Sequence, residues 1–298
     1  MQTCQNIEQL RTQISQWRTG NETIAYVPTM GNLHEGHLSL VEIAQKKASR
    51  VVVSIHVNPL QFSPDEDFAS YPRTLEDDVN KLAALGVDLV FIPDDSMIYP
   101  DGEQHSTFVE VPDLSHIIEG EFRPGFFKGV TTVVLKLFNM VQPDIAVFGE
   151  KDFQQLLIIR QMVNDLNLPI EIIGGETKRE ADGLAKSSRN NYLSTAERES
   201  SCILSDSLKM CRSQIERGTD VKQAENACIK TLESHGFIVD YVTLRETSRL
   251  EVVSNDEVVA NKELIILAAA KIGKTRLIDN LVFTVENSPS NPDLLDGT

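Results

Sequence analysis

Residues 26–37 read YVPTMGNLHEGH, and the rest of the chain is organised around them. An apolar run from Thr23 to Val27 stops at Pro28, as a strand buried in a parallel sheet should, because proline cannot donate to a central ladder. Thr29, Met30 and Gly31 form a short turn. From His34 onward the residues start a helix, for which Asn32 is the candidate N-cap. A helix N-terminus directly after a strand gathers unpaired backbone N–H groups and the positive end of the helix dipole at one spot, which suits an anion. His34 and His37 lie three residues apart on one face of that first turn. Gly36 between them has no side chain, so a flat ligand can reach the backbone. The combination points to nucleotide phosphates, with a plain strand–turn–helix bearing two surface histidines still open at this stage. A zinc site of the HExxH kind is excluded, because HEGH is one residue too short for i,i+4 geometry.

Composition narrows the class. The chain has 298 residues, 41% hydrophobic and 24% charged, enough for one large or two modest globular domains with a real core. Its 44 acidic and 28 basic residues give a net charge of −16, which disfavours nucleic acid and anionic membranes as partners. Several cations instead fall inside polar motifs: Lys151, Lys178, Arg179, Lys186 and Arg189. The four cysteines (Cys4, Cys202, Cys211, Cys228) show no CxxC spacing, which argues against a zinc or redox pair and predicts a reducing, cytoplasmic setting. The polar first 17 residues contain no apolar signal core, and no run approaches the length of a membrane span.

Taken in order, residues 7–17 predict a short amphipathic helix before the first strand. The HEGH helix runs to about Ala48, and VVVSIHVN (51–58) is a second buried strand. A loop with prolines at 59, 64 and 72 and an aromatic pair, Phe62 and Phe68, leads to a helix over 75–85. VDLVFIP (87–93) is a third strand. A long loop with a hairpin at 106–111 ends in RPGFFKGV (123–130). A helix over 131–141, the strand DIAVFG, a helix over 153–166 and the strand IEIIGG follow. Strands alternating with helices imply parallel pairing through right-handed crossovers: an α/β fold with a Rossmann-like parallel sheet. Beyond Arg189 two helical stretches (195–217 and 221–235) precede two strands, DYVTLRE and ELIILAAAKIG, which make a smaller α+β unit. We therefore expect an N-terminal Rossmann-like domain over 1–180 and a smaller C-terminal lid domain over 181–298. The tail from 287, NSPSNPDLLDGT, has a disordered composition.

Two further stretches carry chemistry. GEKDFQQ (149–155) repeats the first motif: a strand end, a glycine, then charges at a helix start. Lys151 can pair with a phosphate, Asp152 can accept from ribose hydroxyls, and Gln155 lies one turn beyond Lys151. A capped surface helix would look the same. KREADGLAKSSRN (178–190) sets Lys178, Arg179, Lys186 and Arg189 beside Ser187 and Ser188, and it is either a solvated linker or a loop that closes on a polyphosphate. KIGKT (271–275) imitates the end of a Walker A loop but has Ala268 where the first glycine belongs. No GxGxxG follows a strand, so a dinucleotide site is unsupported.

HEGH resembles the HxGH signature of the adenylyl-transferring nucleotidyltransferases. The wider set PTMGNLHEGH, VNPLQF, YPRTLEDD, DLVFIP, KLFNMVQPDIAVFGEKDFQQ and READGLAKSSRNNYLS, in order and without large gaps, is similar to the pantothenate synthetase (pantoate–β-alanine ligase) family over nearly the whole chain. Two positions depart from it. The family usually shows histidine where Phe126 stands in RPGFFKGV, and phenylalanine where His56 stands in SIHVNP, the latter read as a packing variation.

The resemblance implies an ATP-dependent ligase that joins pantoate to β-alanine through a pantoyl adenylate, releasing AMP and pyrophosphate. It implies catalytic roles for His37, His34 and Lys151, with His37 as the acid. ATP contacts would come from Met30, Gly31, Asn32, Leu33, His34, Glu35, Gly36 and His37, from Gly149, Glu150, Lys151 and Asp152, and from Lys178, Lys186, Ser187, Ser188 and Arg189. Gln61 and Gln155 would bind pantoate. Mg²⁺ is implied on the phosphates, reached through water by Asp77 or Asp78, and a homodimer is implied as the assembly. Two other functions remain to be separated from this one: a different nucleotidyltransferase, which would lack VNPLQF and the paired glutamines, and a nucleotide-binding protein without activity.

Overall fold

The structure, a computed structural model, describes residues 1–64 and 66–286; the tail expected to be disordered lies outside them. The chain divides into two compact units, Met1–Lys178 and Arg179–Thr298, and the division falls at the start of the polar stretch 178–190. Among the described residues no helix is long and apolar enough to cross a membrane.

The first unit runs β1 (Gln2–Cys4), α1 (Ile7–Thr19), β2 (Ile24–Thr29), α2 (Glu35–Lys47), β3 (Arg50–Ile55), α3 (Leu75–Ala84), β4 (Leu89–Phe91), α4 (Asp95–Ile98), α5 (Glu119–Phe122), α6 (Phe126–Val141), β5 (Ile145–Gly149), α7 (Phe153–Asp165) and β6 (Glu171–Gly175). Its sheet is parallel, in the order β1-β4-β3-β2-β5-β6. β2 is central because its residues are apolar on both faces. Tyr26 packs on one side with Trp17, Phe138 and Phe148, while Ala25 and Val27 pack on the other with Leu40, Val41 and Leu82. A strand buried on both sides must be covered by helices on both sides, which the crossovers supply. From β2 the chain winds outward through β3 and β4, then returns to pair β5 on the opposite edge of β2. The winding direction therefore reverses between β2 and β5.

Three local expectations change. β1 was not anticipated, since QTC is polar; it is held at the edge by Gln2 N donating to Asp88 O and Ile92 N donating to Cys4 O, both at 2.9 Å. Residues 106–111 form no hairpin. Val109 N donates instead to Thr132 Oγ1 at 3.0 Å, and Thr131 Oγ1 donates to Val109 O at 2.5 Å, so the segment is tied to α6. α6 itself starts at Phe126, five residues before the expected start, because Gly125 takes a left-handed φ of 85° and turns FFKGV into the helix. Gly129 lets α6 press against the 3₁₀ turn Pro59–Gln61, since a Cβ there would lie 2.3 Å from Leu60 O.

The second unit runs α8 (Thr195–Ser201), α9 (Ile203–Glu216), α10 (Val221–Ser234), β7 (Phe237–Glu246), β8 (Glu263–Ile272) and β9 (Thr275–Thr284), with an antiparallel sheet in the order β7-β8-β9. The single helix expected over 195–217 is two, broken at Cys202. There Ser201 Oγ donates to Arg198 O and Cys202 Sγ to Glu199 O, side-chain bonds that compete with the helical ladder. β9 was not anticipated. KIGKT proves to be the β8–β9 hairpin, with no helix after it, so it is no phosphate loop.

Candidate active site

In an open parallel sheet wound both ways, the loops leaving the two strands at the reversal diverge and leave a crevice at their carboxyl ends. Here those strands are β2 and β5. Met30–His37 leave β2 and Gly149–Asp152 leave β5. Gln61 follows β3 on the turn Pro59–Gln61, and Lys178 follows β6. The first unit thus places these sequence candidates along one edge of its sheet.

The loop after β2 is held from α3. Asp78, fully buried, accepts from Asn32 N at 2.8 Å, Leu33 N at 2.7 Å and Thr74 Oγ1 at 3.1 Å. Lys81, three residues on, donates from Nζ to Leu33 O at 2.8 Å. Gly31 and Asn32 are left-handed, with φ of 80° and 50°. Asn32 is therefore not the N-cap of α2: its backbone is turned toward Asp78, and the helix is capped by His34. His34 Nδ1 accepts from Gly36 N at 3.1 Å, while His37 Nδ1 accepts from His34 N at 3.3 Å, so the two imidazoles form a capping box. Their rings lie 4.1 Å apart. Since both Nδ1 atoms accept, each neutral ring carries its proton on Nε2, leaving that N–H as the donor. Burial, then the charges of Lys151 and Lys81, push the His37 imidazole down to about 4. His37 is thus a neutral ring near pH 7, and its Nε2–H is the proton it can offer.

Beyond β5, Glu150–Asp152 form a 3₁₀ turn and Lys151 Nζ lies 3.8 Å from Asp152. On α7 the two glutamines diverge. Gln154 is buried, donating from Nε2 to Leu114 O and Ile117 O at 2.8 Å each and accepting at Oε1 from Glu119 N at 3.1 Å. Gln155 is half-buried. Gln61 Oε1 accepts from the buried Asn58 Nδ2 at 3.0 Å, and Gln61 O accepts from Arg123 at 2.9 Å. Arg123 also grips Glu66 with two hydrogen bonds and stacks 3.7 Å from the Phe126 ring centroid. Where the family usually has histidine, this chain has an aromatic platform for a guanidinium. His56 is buried, with its backbone N–H on Thr29 O and Nδ1 3.8 Å from Asp95.

Neither carboxylate suggested for Mg²⁺ supplies a cage. Asp78 spends its oxygens on the loop amides, and Asp77 is exposed on α3. Among the described residues no group of three or more His, Cys, Asp or Glu side chains is arranged to hold a metal ion.

The polar loop of the second unit is built locally. Lys186 pairs with Glu180 at 2.9 Å, and Ser187 Oγ accepts from Arg189 N at 3.3 Å, capping the 3₁₀ turn Ser188–Tyr192. Arg179, counted from sequence among the loop cations, grips the buried Asp279 of β9 at 2.7 and 2.9 Å and so anchors the start of the loop.

Residues 2–282 match the sequence model of the pantoate-beta-alanine ligase family. The chain belongs to that family. The pantothenate synthetase of Shewanella woodyi is 51% identical over 284 residues, 95% of this chain and 100% of that one. The crystal structure of the pantothenate synthetase from Thermus thermophilus superposes with a TM-score of 0.87 at 43% identity, covering 96% of this chain and 100% of the other. That of the pantoate-beta-alanine ligase from Francisella tularensis, described as complexed with beta-gamma ATP and beta-alanine, superposes with a TM-score of 0.78 at 35% identity, over 97% and 100% of the two chains.

In this ligase the sequence reading missed Asp78 and Lys81 as holders of the histidine loop. Their i,i+3 spacing on one helix face was the available signal. The histidine arrangement also makes a measurable statement. The folded value of His37 lies below the ordinary 6.5, so the folded state resists the proton that the unfolded state takes up. The stability this brings is present above about pH 6.5 and is lost as pH falls toward 4. Imidazole ¹⁵N spectra of the free protein should show His37 still neutral, protonated on Nε2, at about pH 5.5; titration near the ordinary value would contradict that downward shift.

Proposed function

We propose that this chain condenses pantoate with β-alanine, driven by ATP and releasing AMP and pyrophosphate through a pantoyl adenylate. The observation that carries the proposal is the pair of loops at the winding reversal. One ends in a helix N-terminus capped by two imidazoles with Nε2–H donors, and the other carries Lys151. Family membership and the ligands named for the Francisella relative support the same reaction.

In the first half-reaction a pantoate carboxylate oxygen forms a bond to the α-phosphorus of ATP while the bond to pyrophosphate breaks. In the second the β-alanine amine attacks the acyl carbon, the bond to the AMP oxygen breaks, and the amine gives up a proton. Neither step asks for a protein nucleophile; binding in attack geometry and stabilising developing negative charge suffice. The cysteines fit that picture. Burial pushes the Cys4 thiol up to about 11 and those of Cys211 and Cys228 to about 12, so these thiols are poor nucleophiles at neutral pH.

His34 and His37 donate from Nε2 to phosphate oxygens, and Lys151 adds a full positive charge. The amides at the start of α2, Glu35 to His37, add the helix dipole. Met30 to Leu33 and Gly149 to Asp152 line the nucleotide, with Lys178 nearby at the end of β6. Gln61 and Gln155 hold pantoate by their side-chain amides, which suit a hydroxy acid. With Asp78 committed to the loop, Mg²⁺ would be held by the ATP phosphates themselves and would supply charge neutralisation there. Homodimeric assembly and a cytoplasmic location belong to the same proposal, supported by the resemblance and by four free cysteines.

The deciding experiment is product analysis with ATP, Mg²⁺, pantoate and β-alanine. One AMP and one pyrophosphate per pantothenate are expected; ADP and phosphate in their place would overturn the adenylate route.

A further inference from the structure

Gln61 is the end of a chain of hydrogen bonds that starts in the core, and the polarity of that chain decides what Gln61 presents to a ligand. Asn58 is 1% exposed and Tyr99, which ends α4, is 3% exposed. The Tyr99 hydroxyl donates to Asn58 Oδ1 at 2.6 Å. Asn58 Nδ2 donates to Gly129 O at 3.2 Å and to Gln61 Oε1 at 3.0 Å. A backbone carbonyl can only accept, so Gly129 O requires the nitrogen of Asn58 on its side. The Asn58 oxygen then faces Tyr99, whose hydroxyl has to be the donor. With Asn58 donating toward Gln61, the Gln61 oxygen is consumed, and both hydrogens of Nε2 are the ones turned away from Asn58.

Tyr99 is itself fixed. Lys136 of α6 sits 5.0 Å from its ring centroid and donates to Ile98 O at 2.7 Å. Burial, with Glu103 and Asp95, holds the hydroxyl above the ordinary tyrosine range, so it keeps its proton and remains a donor at neutral pH. Without that hydroxyl the buried Asn58 oxygen has no donor, and the amide is fixed from one side only, by Gly129 O. The Asn58 donor that orients Gln61 is then held less firmly, and the Gln61 amide with it.

We propose that Tyr99 is a positioning residue for pantoate recognition: through Asn58 it sets the Gln61 amide so that Nε2–H groups, rather than Oε1, meet an oxygen of the hydroxy acid. The inference rests on the assignment of Gln61 to pantoate made above. It predicts selectivity for a ligand with acceptor oxygens at that point, and it separates pantoate use from ATP use.

The test is a four-enzyme cycle of wild type, Tyr99→Phe, Gln61→Ala and the double variant, with KM for pantoate, KM for ATP, kcat and melting temperature measured for each. Gln61→Ala should raise the pantoate KM and leave that for ATP in place; if it does not, the assignment of Gln61 fails, whatever Tyr99 does. Given that rise, Tyr99→Phe should raise the pantoate KM ~3–10-fold, the scale of one misoriented hydrogen bond, with the ATP KM unchanged. It should add nothing in the Gln61→Ala background, because residues acting through one another are not additive. An equal rise in both backgrounds, or none in either, overturns the relay. Should Tyr99→Phe fold poorly, Gln61→Glu answers the same question. It keeps an acceptor for Asn58 but turns an anionic oxygen outward, so it should use pantoate less well than Gln61→Ala; wild-type pantoate use by Gln61→Glu would overturn the proposed polarity.

Discussion

His37→Ala should lose ~10²–10³ in kcat, the usual scale for removing one preorganised donor from a transition state, while remaining folded. The geometry sets both halves of that expectation. The ring's Nδ1 is occupied by His34 N at 3.3 Å, so Nε2–H is its remaining donor, the one that the proposed function gives to the phosphates. The structural part of its role is that one cap bond, and losing a cap costs roughly 0.5–2 kcal/mol, which shifts a melting temperature without unfolding a domain whose cores lie elsewhere. Steady-state rates with saturating ATP, pantoate and β-alanine, taken beside a thermal melt, check it. A folded His37→Ala enzyme turning over at close to the wild-type rate would remove His37 from the catalytic group.

Omitting β-alanine should stop the reaction after about one pyrophosphate per active site, a burst of the kind expected when an intermediate accumulates. The reason is chemical. A pantoyl adenylate is a mixed carboxylic–phosphoric anhydride and reacts with whatever nucleophile reaches its acyl carbon, so a site that makes it has to withhold water until the amine arrives. Rapid-quench measurement of pyrophosphate with ATP, Mg²⁺ and pantoate reads the burst; adding β-alanine should then release AMP and pantothenate together. Pyrophosphate that appears only when β-alanine is present would show that the two half-reactions are not separable in this protein.

How much of this could be read in advance differs from residue to residue. The turn after β2 was legible because its signals are local: an apolar run ended by proline, a glycine, and two histidines at the spacing of one helical turn. The cap was not legible. Asn32 looked like the better cap by residue type, but Asp78, 46 positions along the chain, takes its amide and leaves His34 to cap the helix. The extended start of α6 hung on one left-handed glycine at 125. β9 went unassigned from sequence, its apolar pattern interrupted by Asp279 and Asn280. They are buried in a strand because Arg179, 100 positions earlier, neutralises the aspartate.

The sequence alone determined the parallel α/β sheet, the family, and the strand ends that carry the candidate residues, because periodicity, turn chemistry and motif spacing are properties of neighbouring residues. Only the tertiary structure decided the protonation of His37, the commitment of Asp78 to the loop rather than to a metal, and the direction in which the Gln61 amide points. Each depends on what lies against a side chain after folding: Lys151 and Lys81 beside an imidazole, two amides on a carboxylate, and a tyrosine hydroxyl at the far end of a hydrogen-bond chain. Desolvation and hydrogen-bond polarity come into being only when distant segments pack, so local pattern carries no trace of them.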